Sequence, residues 1–131
     1  MNYKEAMEQI LKKRIFFNPV KDKQILLLKN ELGITIAHWQ AVAGYQFDPV
    51  RDKEILKLRN ALGKTVAEIQ LKKGYLFDVE RDKEILALPS SKKGKTILDL
   101  QNEIILEKLI RELKIPTIVL KIKRAFCGSL I

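Results

Sequence analysis

Apolar residues along this chain fall at helical spacing, in a pattern that returns every 30 residues. In the stretch 47–76, Ile55, Leu58 and Leu62, with Leu56, lie three or four positions apart and predict one apolar helix face. Val66 and Ile69, with Ala67, Leu71 and Tyr75 on a neighbouring stripe, predict a second. The polar positions supply the boundaries. Asp48 suits an N-cap and Pro49 the first helical position, where a missing N–H costs nothing. Asp52 and Glu54 favour the positive end of the helix dipole, and Gly63 is expected to end the helix in a left-handed turn. Thr65 and Glu68 have capping-box spacing for the second helix, and Gly74 ends it.

The same phrase opens three times, at Phe17, Phe47 and Phe77. Residues 17–46 and 47–76 match at 16 of 30 positions without a gap, which marks a duplicated supersecondary unit. The first copy places His38 where the second has Glu68, and Trp39 where it has Ile69. Residues 1–16 align with the end of a unit and predict a helix over roughly residues 3–14. The third unit, 77–113, replaces the tight joint by Pro89-Ser-Ser-Lys-Lys-Gly94 and lacks a glycine where Gly74 would predict one. Its second helix should therefore run from Thr96 to Leu113. Pro116 can start a last helix over 115–127, with Ile115, Ile118, Val119, Ile122 and Phe126 in phase, although β-branched residues also keep a strand open over 117–123. The expectation is an all-α single domain of tandem helical hairpins, with seven to eight helices in a short array or compact bundle.

Composition narrows the function more than the fold. The chain carries 25 Lys and Arg against 16 Asp and Glu, a net +9. That charge suits nucleic acid, an anionic surface or an acidic partner; a Lys-rich composition bias reads it equally well. Cys127 is the only cysteine, so no internal disulfide can form and a cytoplasmic setting is expected. Charges fill the N-terminal segment where a signal peptide would be apolar, and no apolar run has the length of a membrane span. A membrane-surface role for the basic tail is a third, lesser reading.

Candidate chemistry is sparse. Pro89 to Thr96 resembles a phosphate-binding loop whose first glycine has become proline. Gly63-Lys64-Thr65 repeats the same tripeptide at a helix joint, so a structural joint is the better reading. His38 is the lone histidine and has no Cys or second His to share a metal; a cap is expected. The repeated acids at helix starts fit capping, and Cys127 has no histidine near it in sequence. Neither a catalytic constellation, a metal site nor a cofactor motif is expected, and the chain does not read as an enzyme.

Gly63-Lys64-Thr65, Ala67-Glu68-Ile69 and Gly74 resemble the joint, core triplet and turn glycine of helix-turn-helix DNA-binding domains. That resemblance implies that residues 79–88 are a recognition helix and that the function is DNA binding. Lys64, Lys72, Lys73, Lys92, Lys93 and Lys95 cluster at the helix joints and are the candidate contacts to backbone phosphates. The alternative is a protein-interaction or assembly module, of a kind found in phage or mobile elements, that oligomerises through the long helix 96–113. Its interface would draw on Ile104, Ile105, Leu109 and Ile110.

Overall fold

The structure is a computed structural model, described over residues 1–113. The expected C-terminal helix 115–127 lies outside the described residues. The described chain is all-α: α1 Tyr3–Lys13, α2 Lys23–Leu26, α3 Ile36–Val42, α4 Lys53–Leu56, α5 Val66–Lys72, α6 Lys83–Leu86 and α7 Ile97–Glu112. Three isolated antiparallel bridges, Lys29 with Thr35, Arg59 with Thr65 and Pro89 with Thr96, close the loops before α3, α5 and α7.

Packing follows chain order. α3 lies against α1 and α5, α5 lies against α7, and each one-turn helix packs on the longer helix that follows it. The core runs through the row as Ile10, Leu26, Ile36, Phe47, Leu56, Val66, Leu71, Phe77, Leu86 and Ile97, all buried. A side-chain amide locks each link. Gln40, Gln70 and Gln101 each accept the N–H and donate to the C=O of Phe17, Phe47 and Phe77 respectively, at 2.8–2.9 Å. Each pair holds a linker that no sheet could satisfy, because buried backbone groups need partners.

The second helix of each unit matches expectation, and the first does not. α4 and α6 span four residues each, not the long helices read over 49–62 and 79–88. The reason is local. Asp48 Oδ1 accepts from the N–H of Val50 and Arg51, and Asp52 Oδ2 accepts from the N–H of Asp48. These bonds fold 48–52 into a turn that competes with helix formation. At the other end, Lys57 closes α4 and the chain enters the loop of the Arg59–Thr65 bridge. Gly63 therefore supplies the left-handed residue of that loop (φ +81°), not a helix C-cap. α1 and α7 keep the bounds expected of them, and Arg14 takes the left-handed place that Gly74 fills in the second unit (φ +56°).

Candidate recognition edge

The loops before α3, α5 and α7 stack along one edge of the row. Asn30 and Asn60 build the first two from inside. Asn60 Oδ1 accepts from the N–H of Leu62 and Lys64, and Asn30 Oδ1 from those of Leu32 and Ile34. Turning the backbone inward in this way leaves the residue at the tip outside. Leu32 and Leu62 occupy equivalent tips and are 51% and 66% exposed.

Bonds between loops fix their spacing. Ala61 N–H donates to the Leu32 carbonyl at 2.7 Å. Arg59 reaches both its own loop, at the Gly63 carbonyl, and the next, at the Pro89 carbonyl (2.9 and 3.0 Å). The third residues of α3 and α5 also face the following loop. His38 Nδ1 accepts from Thr35 N–H, so its Nε2 is the donor to the Lys64 carbonyl at 3.2 Å. Glu68 accepts from Ser91 N–H at 2.6 Å and from its hydroxyl at 2.5 Å. Burial opposes ionisation of Glu68, but these bonds and Lys72 outweigh it and hold the carboxyl below its ordinary range. His38 is pushed down by burial, which the carbonyl of Lys64 only partly offsets. The capping role expected of His38 is present, with the ring buried instead of solvated.

The six candidate lysines divide. Lys64, Lys92, Lys93 and Lys95 lie in the stacked loops, whereas Lys72 and Lys73 sit at the opposite end of α5. Lys72 pairs with Glu68 and Lys95 with Glu103. Two further cations belong to the loop edge, Lys29 and Arg59, and sequence spacing does not single them out. Their repeat positions match each other, which is the signal that could have found them. Among the described residues, Lys29, Arg59, Lys64, Lys92 and Lys93 make no ion pair, and Glu31 is the one acid within the loops.

The proposed interface residues divide too. Ile110 is buried and Ile104 packs against the core, while Ile105 and Leu109 are exposed. Among the described residues no group of three or more His, Cys, Asp or Glu could hold a metal ion, and no helix is long and apolar enough to cross a membrane. No family model matches the chain, and no curated protein or solved structure matches it.

Proposed function

We propose that the protein is a tandem helical-repeat binding module that holds an acidic partner protein along the loop edge. The observation that carries this reading is the register of Leu32 and Leu62, exposed on successive loops and flanked by Lys29, Arg59 and Lys64. Apolar tips among cations suit a segment that offers both carboxylates and apolar side chains. Desolvated apolar anchors supply affinity, and the charged rim supplies orientation and on-rate. Peptides displayed with mixed acidic and apolar composition, selected against the folded protein, test this. Binding should be lost in the L32S/L62S double variant. Selection without acidic or apolar enrichment, or indifference to that variant, would reject it.

Binding to nucleic acid is the second reading, favoured by the excess of unpaired cations over acids on the same edge. Against the recognition-helix version stands the length of α6, one turn, with Glu80, Asp82 and Glu84 around it. Phosphates have no use for the two leucines. Fluorescence anisotropy with a labelled duplex therefore separates the readings. Affinity that survives L32S/L62S and falls steeply with salt belongs to phosphate contact.

A further inference from the structure

α7 is longer than the row it joins. α5 and α7 start from equivalent threonine caps, Thr65 and Thr96, but α7 has 16 residues and α5 has 7. The chain turns away from α5 at Gly74, so the second half of α7 runs past the end of α5. On that overhang Ile105, Leu109 and Leu113 follow one another at four-residue spacing, 40%, 46% and 62% exposed. Leu76, from the linker after α5, is 45% exposed beside them. Leu76, Ile105 and Leu109, with Gly74, Ile104 and Lys108, line a groove of about 300 Å³. Glu112 lies on its wall, one helical turn beyond Lys108.

We propose that the overhang of α7 is the contact surface for a second copy of this chain, packed antiparallel across a two-fold axis near Leu109. This inference is independent of the loop-edge reading. Three features point to a second copy over an unrelated partner. The stripe is self-complementary: an axis at Leu109 sets Leu109 on its own counterpart and Ile105 on the other copy's Leu113. A two-fold contact requires such self-complementarity. The flank is self-complementary in charge. Lys108 and Glu112 lie on the same side of the stripe, and antiparallel packing brings the lysine of one copy alongside the glutamate of the other, twice. The length also fits: the nine extra residues of α7 (16 against 7) span roughly 13 Å at the usual helical rise, enough for two turns of contact on each side. Ile110 takes no part, because it is already buried, and Ile104 packs on the core while forming the floor of the groove.

The test is the mass in solution and its response to charge. The full chain of 15.1 kDa is expected to scatter as a dimer at high micromolar concentration. L109D should abolish association while leaving the circular dichroism unchanged. K108E and E112K should each weaken the dimer, by roughly tenfold in Kd if two pairs are turned into repulsions. Mixing K108E with E112K should form a heterodimer about as tight as the parent homodimer, since every opposing pair is then restored. A monomer at all concentrations overturns the proposal and leaves the face to another occupant, residues 114–131 of the same chain included. A dimer indifferent to L109D overturns it as well, and failure of the mixture to associate overturns the antiparallel register.

Discussion

Gln70 holds Phe47 by both ends of its peptide environment: Oε1 accepts the Phe47 N–H at 2.8 Å and Nε2 donates to the Phe47 carbonyl at 2.9 Å. The two residues are 23 positions apart and both buried, so one side chain does the work of a missing strand. Q70A would leave a donor and an acceptor buried without partners. Each such loss costs about 1–3 kcal/mol, so urea unfolding should show a loss of roughly 2–6 kcal/mol. Q70E gives a sharper result. An ionised carboxylate can accept from the N–H but cannot donate to the carbonyl. Burial raises the pKa of that new acid, so its penalty should be small below the unfolded value near ~4.3 and should grow as pH rises. An equal penalty for Q70E at pH 4 and pH 8 would contradict this pairing.

The glutamines were visible in the sequence as repeated letters, but not as brackets, because nothing local announces a hydrogen bond across 23 residues. What local chemistry could announce was legible. The threonine caps, the bounds of α1 and α7 and the C-terminal glycine of α5 all follow from spacing and residue type. The one-turn α4 and α6 were not legible, because Asp48 and Pro49 suit a helix start and a turn equally well. The turn prevails through the bonds that Asp48 accepts from Val50 and Arg51 and that Asp52 accepts from Asp48. The edge was half legible. Lysine spacing placed Lys64, Lys92, Lys93 and Lys95 in the loops, but Lys72 and Lys73 stand at the other end of a helix that a linear reading could not orient.

His38 should make stability depend on pH near neutrality. Burial depresses its folded pKa below the usual 6.5, with the Lys64 carbonyl opposing. The unfolded chain therefore binds the proton more readily, so stability is fully present above pH 6.5 and is lost as pH falls from there toward the folded pKa. H38Q, which keeps a polar side chain without the titration, should flatten the melting curve between pH 7.5 and 5.5. Parallel pH dependence in the parent and H38Q would remove the histidine from the effect.

Gly63 and Gly74 separate backbone strain from crowding. A Cβ on Gly63 would sit 3.6 Å from the Cα of Ser91, an ordinary contact, whereas one on Gly74 would meet nothing within 4 Å. Both have positive φ, +81° and +105°. Alanine at either site should then cost about 1–2 kcal/mol through conformation alone. G63V should cost more than G63A, because a branched side chain adds pressure on Ser91. Unchanged melting temperatures for G63A and G74A would exclude the strained geometry.

Glu84 ties the second unit to the third. It pairs with Lys53 at 2.8 Å and with Lys57, and these two lysines hold its carboxyl down at about 2. A depressed carboxyl contributes stability that is present above the unfolded value of 4.5 and is lost as pH falls toward 2. The cluster faces solvent, so salt should screen it. Acid titrations of the parent and E84Q should diverge below pH 4.5 at low ionic strength and converge in 1 M salt. Divergence that persists in salt would mean the contact is not the exposed one described.

The edge and the paired lysines should fail in opposite ways. Lys95 meets Glu103 in a partly buried pair, and Lys72 supports the buried Glu68. K72Q and K95Q should therefore lower stability, each by up to about 1 kcal/mol, and change partner affinity little. Lys29, Lys92 and Lys93 are exposed and make no ion pair among the described residues. The K29Q/K92Q/K93Q triple variant should melt within about 0.5 kcal/mol of the parent, the usual range for surface changes, yet bind selected acidic peptides more slowly. The deficit should shrink as salt rises, because the three cations act by steering. A triple variant that binds like the parent at low salt would take the loops out of recognition. Loss of affinity in K72Q instead would move the contact to the far end of α5.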